Sequence, residues 1–307
     1  MSDDDVRRGP DVGVVLMAYG TPRAPEEIEP YYTDIRRGRP PTPDQLADLT
    51  RRYEAIGGIS PLAALTERQR DGLQAALDAR APGGYVVGLG LKHAAPKVEQ
   101  GVAALAAAGV DRIVGLVLAP HFSSMSIGEY VGRAGAAADA AGLPFAAVES
   151  WATEPAYVGF LTRAVGDGLA GLPAGTHVAF TAHSLPERIL ATGDPYPDEL
   201  RATAEAVADT AGIASWSIGW QSAGRTPEPW IGPDVLAVID DLAGTVPGLL
   251  VCPCGFVADH LEVLYDLDIE ARGRAEGLGL AFARTRSMNA DAGVLAALAD
   301  RVVALAG

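Results

Sequence analysis

The stretch VGVVLMAYGTP, residues 12–22, begins as an unbroken apolar run and ends in a polar turn. A strand with one wet face alternates apolar and polar residues. One that does not alternate is covered on both faces, as the strands of a parallel sheet are. Runs of the same kind recur at 85–91, 112–119 and 144–148, with helical stretches at 96–108 and 127–141 between them. That alternation predicts βαβ units around a parallel sheet. Residues 23–82 depart from it, with three helix-like stretches broken by Arg-rich and Gly-Pro punctuation. They are longer than a crossover requires and read as an elaboration over one end of the sheet.

The second half repeats the rhythm. Strands are predicted at 177–182, 215–220, 248–252 and 279–284, and helices at 154–169, 198–210, 233–243, 258–275 and 290–305. The fold class is therefore α/β: two similar Rossmann-like lobes, each a parallel sheet flanked by helices, with a cleft between them. The lobes are expected to span 1–152 and 153–307. At 307 residues, 49% hydrophobic and 21% charged, the chain can bury a sizeable core. Its 39 acidic against 24 basic residues leave a net charge of −15, which argues against a nucleic-acid or anionic-membrane binder. All but two of the basic residues are arginine, the exceptions being Lys92 and Lys97. There is no signal pattern at the start and no apolar run of membrane-spanning length, so a cytoplasmic protein is the expectation.

Open α/β sheets bind ligands beyond the carboxyl ends of their strands. There the sequence puts Tyr19, Lys92 with His93, and His121 with Ser123 and Ser124 in the first half. In the second half it puts His183, Trp220 with Gln221 and Ser222, and Cys254 with the acidic segment behind it. In that segment Glu262, Asp266 and Glu270 follow one another at i, i+4 and i+8, one face of a helix. Such a ladder is either a solvated acidic face or a run of hard oxygen ligands or proton carriers. His260 lies two residues from Glu262 and is expected on the opposite side, in a structural role. His183, titrating near neutrality, is the best candidate base.

Several familiar motifs fail. Gly88-Leu-Gly90 lacks the third glycine of a dinucleotide fingerprint, and there is neither a Walker sequence nor a G-x-S-x-G elbow. His260-Leu-Glu262 lacks the P-C-x-x-C of zinc deaminases. Cys252 and Cys254 are too few for a four-ligand cluster and too close in sequence to bond well to each other.

Nine segments in order carry a resemblance over nearly the whole chain: MAYGTP (17–22), IEPYYTDIRRGRPP (28–41), RRYEAIGGISPL (51–62), GLKH (90–93), LAPHFSSMS (118–126), TAHSLPERI (181–189), GDPYPDEL (193–200), GWQSAGRTPEPWIGPD (219–234) and GFVADHLEVLYDLD (255–268). Together they resemble the ferrochelatases, most closely the short monofunctional type of Gram-positive bacteria that uses coproporphyrin. The resemblance implies a chelatase-type fold and insertion of Fe²⁺ into a porphyrin, both being substrates. It puts the catalytic roles on His183 and Glu262, and a metal or proton route on His183, Glu262, Asp266 and Glu270. Porphyrin contacts fall on Tyr19, Tyr32, Arg36, Arg37, Arg52, Ser60, Lys92, Ser124, Tyr130 and Trp230.

Removing two pyrrole protons suits a neutral His183 with Glu262 as its relay. Coproporphyrin carries four propionates and protoporphyrin two. The arginines at 23, 36, 37 and 39 pair well with carboxylates, and the apolar lip of membrane-associated protoporphyrin enzymes is missing. The expected substrate is therefore coproporphyrin III, with an upstream coproporphyrinogen oxidase and a downstream coproheme decarboxylase as partners. The chain is expected to act as a monomer without nucleic acid or stable membrane insertion. Two cysteines and the end at Gly307 predict no [2Fe–2S] cluster. The rival readings are a protoporphyrin ferrochelatase, a chelatase for another metal, a non-catalytic porphyrin or haem carrier, and an α/β solute-binding protein.

Overall fold

The computed structural model describes residues 9–224 and 226–307. Every residue of β1 (Val12–Ala18) is buried, as its unalternating run requires. It pairs in parallel with β2 (Tyr85–Leu91) on one side and β3 (Arg112–Val117) on the other, and β4 (Phe145–Val148) completes the sheet beyond β3. The spatial order is β2-β1-β3-β4. The second sheet, β5 (His177–His183), β6 (Trp216–Gln221), β7 (Gly248–Cys252) and β8 (Ala281–Arg284), is again all parallel and runs β6-β5-β7-β8. The two lobes therefore share one topology.

That order has a consequence for function. In each sheet the chain steps to one side of its first strand and then crosses over to the other, so the switch point lies between the first and third strands. Tyr19 and the loop around Ser124 leave those strands in the first lobe. His183 and the segment leading to Glu262 leave them in the second.

The expected insertion is α1 (Ile28–Ile35), α2 (Pro43–Ala55) and α3 (Leu62–Asp78). A capping box at Thr42 and Gln45 starts α2, with Pro43 at the first helical position. Crossovers α4 (Val98–Ala107) and α5 (Ile127–Ala140) complete the first lobe. In the second, α6 (Pro155–Ala170), α7 (Tyr196–Ala211) and α8 (Val235–Leu242) flank the sheet. Two strands are shorter than expected by two residues, and β4 by one. β3 stops at Val117 rather than 119, and β8 begins at 281 rather than 279, because Gly279 turns with φ 74°.

The helix expected over 258–275 is not continuous. It starts as α9 (Leu261–Leu264), passes through a π-helical turn at Asp266–Ala271 and resumes as α10 (Arg272–Gly277). The last helix, α11 (Ala292–Ala306), returns to pack on α3, β3 and β4. One continuous core joins the lobes through Trp151, Tyr157 and Phe160. Trp151 donates its indole N–H to the Val117 carbonyl and Tyr157 its hydroxyl to that of Cys254. Among the described residues no helix is long and apolar enough to cross a membrane.

Candidate active site

His183 ends β5, and its Nδ1 donates to the Ser184 carbonyl at 2.5 Å. Only Nε2 is left to face the cleft, and it lies 3.6 Å from Glu262 Oε1. That separation is electrostatic pairing rather than a hydrogen bond. His260, expected on the far side, also meets Glu262, with Nε2 3.5 Å from Oε2. The correction has a simple cause. His260 precedes α9 in extended conformation (φ −156°, ψ −177°), so helical angular spacing does not apply to it. Its Nδ1 donates to the Ala258 carbonyl at 2.9 Å.

Glu262 thus sits between two imidazoles. Burial pushes its carboxyl pKa up, but His183 and then His260 pull harder, and the net shift is downward. For His183, burial pulls down and the Glu262 charge more than reverses it, so the net shift is upward. Two groups whose pKa values are driven apart in this way form a candidate acid–base pair.

Asp266 and Glu270 continue from Glu262 into a cavity of about 240 Å³, lined also by Arg52, Gln221 and Ser222. The π-turn widens the spacing, yet all three carboxylates still line the same hollow. Asp266 is buried. Desolvation and the nearby Glu262 charge raise its pKa to about 6, against the opposing pull of Ser222 and Arg52. Ser222 Oγ donates to Asp266 Oδ2 at 2.5 Å. Gln221 donates to the Glu262 backbone carbonyl and accepts from Thr181, tying β6 to the start of α9. Among the described residues no three His, Cys, Asp or Glu side chains converge as a metal cage. The four residues expected along the metal route are spread as a pair and a ladder.

Arg52, read as a propionate contact, is already committed. It lies 3.5 Å from Asp48, 3.4 Å from Asp266 and 3.9 Å from Glu270, with its guanidinium 4.7 Å from the centre of the Tyr265 ring. Ser124 is committed as well. Its backbone N–H and its hydroxyl both donate to Asp194, leaving no hydroxyl proton for a propionate. Ser60 is buried, and its Oγ accepts from the Leu62 N–H at the start of α3. Lys92 is 2.7 Å from Glu129 and stands over the buried Tyr130 ring at 5.4 Å.

Other expected contacts stay open. Tyr19 is 43% exposed, and its ring lies 4.6 Å from that of His93, which Asp34 holds through Nδ1 at 2.7 Å. Desolvation of the Tyr19 hydroxyl and, after it, the Glu262 charge raise its pKa and keep the phenol protonated. Trp230 and Phe256 flank the His183 ring, with centroids at 6.5 and 6.4 Å. Arg36 stands 5.6 Å from the centre of the Tyr32 ring and caps the Arg39 carbonyl. Arg36, Arg37 and Arg39 make no ion pair with a carboxylate among the described residues. Both α1, through Tyr31 to the Gly20 carbonyl, and Asp34, through His93, fasten this arginine segment to the carboxyl ends of β1 and β2. Cys252 and Cys254 are free thiols in the core, well away from solvent.

The sequence model of the family described as Ferrochelatase matches residues 11–305. The coproporphyrin III ferrochelatase of Halalkalibacterium halodurans is 47% identical over 285 residues, covering 91% of this chain and 92% of its own length. That of Bacillus pumilus is 45% identical over 300 residues, 95% of this chain and 96% of its own. The protein named ferrochelatase from Herpetosiphon aurantiacus is 43% identical over 285 residues, covering 91% and 93%. Among solved structures, SirB from Bacillus subtilis with Fe³⁺ superposes with a TM-score of 0.60 at 11% identity, covering 95% of this chain and 94% of its own. That likeness shows the fold.

Proposed function

The chain belongs to the ferrochelatase family, and on that premise we propose that it inserts Fe²⁺ into coproporphyrin III to form coproheme. As a ferrochelatase it is a metal chelatase of haem biosynthesis. Coproporphyrin as the substrate is supported by the names of its relatives and by Arg36, Arg37 and Arg39, which have no carboxylate partner among the described residues.

The reaction exchanges two pyrrole protons for one Fe²⁺. In the proposed mechanism His183 accepts a proton at Nε2 in its neutral form, and Glu262 stabilises the imidazolium and relays the proton onward. Asp266, whose raised pKa of about 6 lies far closer to neutrality than an ordinary carboxylate's, is the next carrier. Glu270 opens the ladder to solvent. Iron, as substrate, would meet His183 and Glu262 only in passing, since a pair holds it weakly enough to release. Tyr19 and Trp230 are proposed to face the macrocycle, and Arg36 and Arg37 its propionates, with Tyr32, Lys92 and Tyr130 along the same wall. Arg52 and Ser124 act through the carboxylates they hold.

The single observation that carries the catalytic reading is the His183–Glu262 pair at the switch point of the second sheet. We further propose that the protein works as a cytoplasmic monomer without an iron–sulfur cluster, its division falling at 152/153. Its porphyrin would come from a coproporphyrinogen oxidase and its product go to a coproheme decarboxylase. The test is anaerobic turnover with Fe²⁺ on coproporphyrin III and protoporphyrin IX. Preference for coproporphyrin is expected, and preference for protoporphyrin overturns the substrate. His183→Ala and Glu262→Gln, made singly, should abolish most insertion while porphyrin binding persists. Near-wild-type insertion by both overturns the roles.

A further inference from the structure

The loop after β3 and the turn before α7 belong to different lobes, and one carboxylate joins them. Asp194 Oδ2 accepts from Ser123 Oγ at 3.1 Å, from the Ser124 N–H at 2.8 Å and from Ser124 Oγ at 2.7 Å. Its Oδ1 accepts from the Tyr196 N–H at 3.1 Å. The residue is buried. Among the described residues no arginine, lysine or histidine pairs with it, so four hydrogen bonds alone hold the charge.

The link continues to the reacting side chain. Tyr196 donates its hydroxyl to the His183 backbone carbonyl at 2.9 Å, while its ring packs by Trp220 and His121. The His183–Ser184 unit is otherwise pinned by Ser184 N–H to the Gln221 carbonyl and by Ser184 Oγ to the Ile231 carbonyl. Both of those ties lie within the second lobe. The Tyr196 bond comes from the turn that the first lobe grips.

We propose that Asp194 is a positioning residue for metal insertion: it clamps the first-lobe loop against the start of α7 and, through Tyr196, fixes His183 relative to the cleft. The proposal rests on the chelatase reading and deepens it. Glu199, one turn along α7, supplies the contrast. It grips the same first-lobe region, accepting from the Phe122 N–H at 2.6 Å and Ser150 Oγ at 2.8 Å, but among the described residues its carboxylate makes no hydrogen bond to Tyr196 or His183. A residue that merely docks the lobes should behave like Glu199.

The experiment compares Asp194→Asn, Tyr196→Phe, their double variant and Glu199→Gln in the full chain, measuring kcat and porphyrin KM for Fe²⁺ insertion. Asp194→Asn and Tyr196→Phe should lower kcat by on the order of tenfold or more, as misplacement of a reacting group does. Their KM should stay within about threefold of wild type. The double variant should fall no more than about twofold below Asp194→Asn, because both substitutions break one chain of contacts. Glu199→Gln should keep kcat within about threefold of wild type. Wild-type kcat in Tyr196→Phe, multiplicative losses in the double variant, or equal losses in Glu199→Gln and Asp194→Asn would each overturn the proposal. If Asp194→Asn does not fold, the contrast between Tyr196→Phe and Glu199→Gln decides it. If wild type inserts no iron, the chelatase reading fails by itself. Amide exchange at 183–185 then still tests the latch: faster exchange in Tyr196→Phe with no change in Glu199→Gln supports it, and no change in either sinks it.

Discussion

In the proposed mechanism His183 takes a pyrrole proton, and only Nε2 can do so, because Nδ1 is spent on the Ser184 carbonyl. It must therefore be neutral at the moment of reaction, and its pKa lies above the ordinary 6.5. Burial alone would lower that pKa, and the Glu262 charge reverses the effect. The neutral fraction grows as pH rises through the folded-state pKa, so the insertion rate should climb along an acid limb centred above 6.5. Glu262→Gln removes the largest upward pull and leaves burial opposed only by the Ser184 carbonyl and Asp266, which should move that limb to lower pH. The maximal rate should fall by roughly 10²- to 10⁴-fold, the usual worth of acid–base assistance. A pH–rate profile of kcat/KM for both proteins checks this, and an unmoved limb would mean another group sets it. The meeting of His183 with the acidic segment was legible in the sequence, because both follow the carboxyl ends of strands. The second imidazole was not, since a residue just outside a helix obeys no helical spacing and His260 turns back onto Glu262. Nor was the commitment of Arg52, whose partners Asp266 and Glu270 lie more than two hundred positions away in the chain.

At the scale of elements, the strands could be read closely from unbroken apolar runs, because burial on both faces leaves no other pattern. The π-turn could not, since its residues carry the same apolar and acidic spacing as an α-helix would. What holds this broken helix in place is the approach to it from β7. Gly255 donates its N–H to the Thr181 carbonyl at 2.9 Å. A Cβ added there would stand 2.3 Å from the Ala182 Cβ and 2.6 Å from its Cα. Since Ala182 immediately precedes His183, no flexible side chain can give way. Gly255→Ala should push the β7–α9 connection off β5, cost about 1–3 kcal/mol as overpacking does, and reduce insertion by separating Glu262 from His183. Gly273, exposed on α10 with nothing within 4 Å of an added Cβ, is the matched control. Gly273→Ala should be neutral or stabilising by up to about 1 kcal/mol. Thermal melts and turnover of both variants test the pair. Equal stability in the two would show that the strand end tolerates displacement.

Over the whole molecule, repetition of the strand–helix rhythm was enough to foresee two lobes, but not that α11 would close the first one. An amphipathic helix shows that one face is covered without saying by which sheet, and here the cover is α3 and the edge of the first sheet. The distribution of charge follows the same logic of place over total. A net charge of −15 would repel a polyanion from most of the surface. Arg51 and Arg52 are neutralised where they stand, by Asp48 and the acidic ladder. Arg36, Arg37 and Arg39 have no carboxylate partner among the described residues, and α1 fastens their segment to the strand ends that open on the cleft. They form a local exception that four propionates can use better than two. Each exposed arginine–carboxylate pair is worth up to ~1 kcal/mol. Replacing all three arginines by Gln should therefore raise the KM for coproporphyrin III by on the order of tenfold. The effect on protoporphyrin should be smaller, and kcat for either should change little, because the pair proposed to handle the protons is untouched. Added salt should mimic the substitution in wild type and do little in the variant, since exposed pairs are screened over about 10 Å at 0.1 M. Equal KM changes for the two porphyrins would assign substrate choice to another wall of the cleft.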